Sequence, residues 1–147
     1  MALKLVYSGN LENNGMQHYP VKILMAFAET FGENESFFHW LMENGYPELA
    51  ALSSAIRGSE EAFDWMMQHK FYHLAALDAA IDQQPKARHW LESHRFELLL
   101  CLADAVHQQQ EAIQWFSERR LEIFLIIAQR IRYYRENQYF DYHKKRF

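Results

Sequence analysis

The chain has 147 residues, half of them apolar and 16% aromatic, with a net charge of −4 and one cysteine. Its apolar runs all fall short of the ~20 residues that a membrane-spanning helix needs. These properties exclude a disordered tail, a disulfide-framed mini-protein and a membrane-helix protein, and lead us to expect one folded cytoplasmic domain.

The four tryptophans, Trp40, Trp65, Trp90 and Trp115, stand 25 residues apart, the mark of a stacked repeat. In chain order, residues 1–33 read as an N-terminal cap and a degenerate unit. There Leu3–Tyr7 fits either a short strand or a capping segment, and it reaches Ser8-Gly9-Asn10 too soon for the apolar stretch of a secretion signal. Met16 takes the Trp position, and Leu24, Phe27 and Phe31 supply one apolar stripe. Residues 34–132 are four full repeats, with apolar residues 9, 12 and 16 places after each Trp: Leu49, Leu52 and Ile56; Leu74, Leu77 and Ile81; Leu99, Leu102 and Val106; Phe124, Ile127 and Ile131. Steps of three and four put each trio on one helical face. Residues 133–147 form a C-terminal capping segment in which Phe140 repeats the Trp position.

Residues 58–83 show the physics of one unit. Gly58 ends one helix and Ser59 caps the next, with Glu60 and Glu61 at the positive end of the helix dipole. That helix runs Glu60–His69, carries Ala62, Phe63, Trp65 and Met66 as its apolar stripe, and closes at His69-Lys70. A second helix passes through Leu74, Leu77 and Ile81 to about Asp82. Helices of ~10 residues are marginal alone, so each must bury its stripe against its neighbours. Elsewhere Asn44-Gly45 forms a C-terminal cap, and Pro47 and Pro85 open helices where a missing N–H costs nothing. Arg95 and Arg120 stand where Gly45 does, so their turns require a left-handed residue that is not glycine. All four Trp are expected in the core. The fold expected is all-α: a right-handed α-solenoid of about four 25-residue helical hairpins with degenerate terminal caps, in a single repeat domain spanning residues 1–147.

The stretch from Leu49 to His69, with Leu52, Ala55, Gly58 and the Phe63–Met66 stripe, resembles the helix–turn–helix part of an ankyrin repeat. The unit is 25 residues rather than ~33, lacks the Thr-Pro-Leu-His signature, and so looks like an ankyrin array without its β-hairpin fingers. The resemblance implies a protein-binding scaffold that uses its inner-helix face.

Catalytic signatures are missing: there is no His-Glu-x-x-His, glycine-rich phosphate loop, Gly-x-Ser-x-Gly or paired-cysteine spacing. Cys101, within Leu98–Leu102, reads as a buried small hydrophobe. His69 and His94 lie one unit apart, ~10 Å by helix-packing distance, too far to share a metal. A non-enzymatic module without cofactor or metal is expected. Its partner-binding face would be the exposed side of the second-helix layer, 13, 14 and 17 places after each Trp, where Asp78, Asp82, Asp104, His107 and Arg132 fall, with Tyr72 as an aromatic anchor at the edge. The alternative is a polyanion or nucleic-acid surface on the basic loop edge of Lys70, Arg95, Arg119 and Arg120, continued by the tail Lys144-Lys145-Arg146 with its tyrosines. Charge is uneven: residues 1–85 carry 4 basic and 11 acidic side chains, residues 86–147 carry 11 and 8. In a linear array that becomes a gradient along the long axis.

Overall fold

The 25-residue period becomes a strict alternation of short helices. The computed structural model describes residues 15–145, with side chains as far as residue 138, and contains nine α-helices and no strand among them. They are α1 (Val21–Glu29), α2 (Ser36–Glu43), α3 (Pro47–Ile56), α4 (Glu60–Gln68), α5 (Tyr72–Ile81), α6 (Pro85–Ser93), α7 (Glu97–Val106), α8 (Gln110–Glu118) and α9 (Glu122–Lys145). Leu3–Tyr7, the Phe140 side chain and the Lys144-Lys145-Arg146 side chains lie outside what is described. The capping segment begins as a continuation of the helix that opens at Glu122 rather than as a separate element.

Turn chemistry sets the boundaries. Ser59 accepts a hydrogen bond from the Ala62 N–H at 3.1 Å and starts α4 with Glu60 and Glu61 in its first turn. Pro47 and Pro85 open α3 and α6. Helices close by a Schellman turn, in which the residue after a left-handed position bonds back to the last full turn. The Phe71 N–H reaches the Met66 carbonyl at 2.8 Å, Phe96 reaches Leu91 at 2.9 Å and Leu121 reaches Phe116 at 2.9 Å. Gly45 and Gly58 take the left-handed position without penalty; Lys70, Arg95 and Arg120, and on the opposite edge Gln83 and Gln108, take it too, with φ between 55° and 66° and the strain of a Cβ. The turns expected to work without glycine do so.

Burial moves the core by one residue from where the Trp count puts it. Leu41, Met66, Leu91 and Phe116, the residues immediately after each Trp, are 0% exposed, as is Met16. Counting 25 back from Trp40 lands on Gly15, so Met16 belongs to this following position and not to the Trp position. Only Trp115 is buried; Trp40, Trp65 and Trp90 are half-buried and pack on the rim of the core. At Trp65, Trp90 and Trp115 one face is covered by the residue four places on. His69 stacks on Trp65 at 4.1 Å between ring centroids, His94 stacks on Trp90 at 4.0 Å, and the Arg119 guanidinium sits 4.2 Å from the centre of Trp115. His69 and His94 donate from Nδ1 to the carbonyl of the same Trp at 2.8 Å. Asn44 and Arg119 donate likewise to Trp40 and Trp115 at 2.8 and 3.0 Å. At Trp65, Trp90 and Trp115 the recurrent side chain thus covers an indole and bonds the carbonyl of the same residue at once.

The odd-numbered helices α1, α3, α5, α7 and α9 pack in succession, and each even-numbered helix packs on the two that flank it. The row does not run straight, because α9 also packs against α1. Arg130 pairs with Glu29 at 3.1 Å, Tyr134 meets Phe31 at 6.3 Å between centroids, and the Arg57 guanidinium lies 5.5 Å from the Tyr134 ring. Arg135 pairs with Asp82 at 2.7 Å. The C-terminal ends of α1, α3 and α5 therefore converge on one stretch of α9. This corrects the expected charge gradient: acidic residues of the first half meet basic residues of the last helix. These partly exposed pairs each contribute about 0–1 kcal/mol, so apolar packing carries the closure.

At the N-terminal ends of α5 and α7, Gly15 (φ 83°) lies where an added Cβ would come within 3.0 Å of His73 and 3.1 Å of Leu99, so a side chain there would be strained and crowded. Tyr19 donates to Glu48 at 2.7 Å, and burial lowers the pKa of His73.

Candidate functional site

Curling of the row decides what remains open on the second-helix layer. The position 13 after each Trp, expected on the surface, is interior: Ser53, Asp78, Ala103 and Ala128 are all buried. Ser53 donates to the Thr30 hydroxyl at 2.8 Å. A straight array would leave this face wet; the return of α9 encloses it.

The proposed binding residues consequently do not form one surface. Tyr72 is exposed at the first position of α5, and Asp82 follows its last, a separation of about 15 Å at helical rise. Asp104 is taken by Arg88 in a bidentate pair, 2.6 Å to one carboxylate oxygen and 2.9 Å to the other. His107 donates from Nε2 to the Ile81 carbonyl at 2.7 Å, and Arg132 donates to the Ala105 carbonyl at 3.5 Å. Arg132 and His107 also line a shallow groove of about 260 Å³ with Arg135 and Glu136. Asp78 and Asp82 stay together, and they line an acidic opening.

That opening lies between the end of α3, the start of α4 and the end of α5, has a volume of about 510 Å³, and is lined by Ser59, Glu60, Phe63, Asp64, Asp78 and Asp82, among others. Asp78 is 9% exposed, and no hydrogen bond or ion pair reaches its carboxylate from the described residues. Loss of hydration raises its pKa to about 7, the charge of Asp82 adds to the rise, and Arg135 opposes it. A second buried acid, Glu97, is 1% exposed with neither oxygen hydrogen-bonded, and desolvation raises it to about 7 despite the attraction of Arg119. Cys101 is buried and its thiol pKa is raised by desolvation, so it is inert. Among the described residues no group of three His, Cys, Asp or Glu side chains is placed to hold a metal ion. No described helix is long and apolar enough to cross a membrane.

On the opposite edge Lys70, Arg95 and Arg120 project from their left-handed turns as exposed cations. Arg119 differs, being folded over Trp115. Glu60, Asp64 and Phe63 were not expected as groove residues: Glu60 reads from the sequence as a helix-start carboxylate and Phe63 as part of the apolar stripe. Arg88 was missed too; its signal was its position two before Trp90.

No family model matches the chain, and no curated protein and no solved structure matches it either. The likeness to ankyrin units therefore rests on the residues from Leu49 to His69 and their repeats alone.

Proposed function

We propose that this chain is a helical-repeat array of the α-solenoid type that works in the cytoplasm as a non-enzymatic scaffold, holding another protein on the part of its inner-helix layer that stays open. The observation that carries this reading is the groove between α3, α4 and α5. It is a concave site of about 510 Å³ with an aromatic wall and a buried carboxylate, Asp78, that no described side chain pairs. A photo-crosslinking amino acid at Glu60, on the groove lip, should trap a partner from the source cell, whereas one at the exposed Gln114 of α8 should not. Equal trapping at both positions, or none at either, would count against the reading.

A second reading is supported by Lys70, Arg95 and Arg120, which place one exposed cation on each successive turn of the far edge. Such a row would follow a polyanion, including a nucleic-acid backbone. Mobility-shift assays at low salt decide it: the triple Lys70→Gly, Arg95→Gly, Arg120→Gly chain should lose any shift that the natural chain gives.

A further inference from the structure

The array repeats one device at the boundaries between its odd-numbered helices. The side chain 17 places after the Trp position donates to a carbonyl at the end of the preceding odd-numbered helix. Arg57 does so to Thr30 at 3.3 Å, His107 to Ile81 at 2.7 Å and Arg132 to Ala105 at 3.5 Å. The α3/α5 boundary breaks the rule, with the acceptor Asp82 at that place. No side chain of the described residues donates to the last turn of α3.

The next groove along shows what is missing. Between α5, α6 and α7, Arg88 reaches across and grips Asp104 with both guanidinium nitrogens at 2.6 and 2.9 Å. One unit earlier, Phe63 stands at the place of Arg88 and Ala79 at the place of Asp104. The cation is gone, and Asp78, buried and without a bonding partner among the described residues, faces the opening instead. Asp82 is already held by Arg135 at 2.7 Å, which leaves Asp78 as the buried acid of this groove that no described side chain pairs.

We infer that this groove receives a guanidinium from outside: an arginine side chain of the partner protein enters between α4 and α5, grips Asp78 in the manner of Arg88 on Asp104, and lies against Phe63, with Glu60 and Asp64 at the mouth. The inference rests on the scaffold reading. Arginine fits where lysine does not, because a carboxylate matches a planar fork with both its oxygens, and a guanidinium stacks on an aromatic wall. The chain itself closes its neighbouring boundaries with Arg57, Arg88 and Arg132 and uses no lysine for it.

The test is selection of a random twelve-residue peptide display library on the folded chain, followed by calorimetry of the recovered peptides. Support consists of an arginine at a fixed place in those peptides, at least tenfold weaker binding when it becomes citrulline, and a similar loss in Asp78→Asn protein whose thermal melt stays cooperative. Affinity should also fall as pH drops below 7, because Asp78 must ionise to pair. The charged groups facing it are Asp82 just after α5, Glu60 and Asp64 on α4, and Arg135 on α9; Ala55 of α3 and Gly58 and Ser59 of the turn that follows it carry no charge. Peptides that bind Asp78→Asn and citrulline forms equally well would overturn the arginine and leave the scaffold reading standing. Failure to recover any peptide, together with no chemical-shift change on adding N-acetylargininamide, would overturn both.

Discussion

Replacing Arg95 by glycine should make this protein more stable, although it deletes every contact the side chain makes. Arg95 sits at φ 61° because the Schellman turn that ends α6 demands a left-handed residue between His94 and Phe96. An L-residue there costs roughly 1–2 kcal/mol, the clash of Cβ with the following carbonyl. Glycine removes that clash but makes the unfolded chain more flexible, a loss of about 0.5–1 kcal/mol. The net gain is about 0.5–1 kcal/mol, which at this chain length raises the Tm by about 1–4 °C. Lys70 and Arg120 occupy the same conformation in turns about 10 Å apart, so the three substitutions should add nearly independently. Gly45 supplies the reverse experiment. It has φ 91° and nothing within 4 Å of an added Cβ, so Gly45→Ala isolates the conformational term and should cost about 1 kcal/mol. Urea unfolding of the four single variants measures this directly. A destabilised Arg95→Gly, or a neutral Gly45→Ala, would refute the reasoning.

Other expectations concern the core and the buried acids. Leu91→Ala should cost about 2–5 kcal/mol, because Leu91 is 0% exposed, and Trp115→Ala should cost more than Trp90→Ala, because only Trp115 is buried; chemical denaturation ranks the three. Arg88→Ala should lose about 1–2 kcal/mol by stranding Asp104, more than a surface pair would lose, with Arg88→Lys recovering only part of it. Asp78 and Glu97 both have folded-state pKa values raised to about 7, from 3.8 and 4.5. The folded state then binds more protons than the unfolded one between those values, so these two groups make stability fall as pH rises from about 4 to about 7. The Asp78→Asn, Glu97→Gln double variant should flatten that part of a pH–Tm curve.

The sequence showed the local physics of the repeat more fully than its global course. Period, helix boundaries, the Ser59 cap, the proline starts and the strained turns at Arg95 and Arg120 are all set by residues within a few positions of one another. The Trp position misled by one residue, because a helical stripe about 100° wide spans both Trp65 and Met66, and only packing against the next unit decides which faces inward. The return of α9 onto α1 was not legible. It depends on pairs such as Arg130 with Glu29 and Tyr134 with Phe31, about 100 residues apart, and on a curvature summed over every unit. That curvature buries Ser53, Asp78 and Ala103 and dissolves the face on which Tyr72, Asp104, His107 and Arg132 were expected to act together. The groove did leave a trace in the repeat, since Arg57, His107 and Arg132 share a position with Asp82, and the odd residue of that set marks the open boundary.

Asp78 is central as a buried acid that no described side chain pairs. Its side-chain carboxyl carbon can be followed by NMR as pH is varied in the protein without a partner. A titration midpoint near 7 is predicted, displaced downward when an arginine peptide occupies the groove. A midpoint at or below 4 in the free protein would mean that the fold already supplies the cation, and the groove would have no need of a partner's arginine.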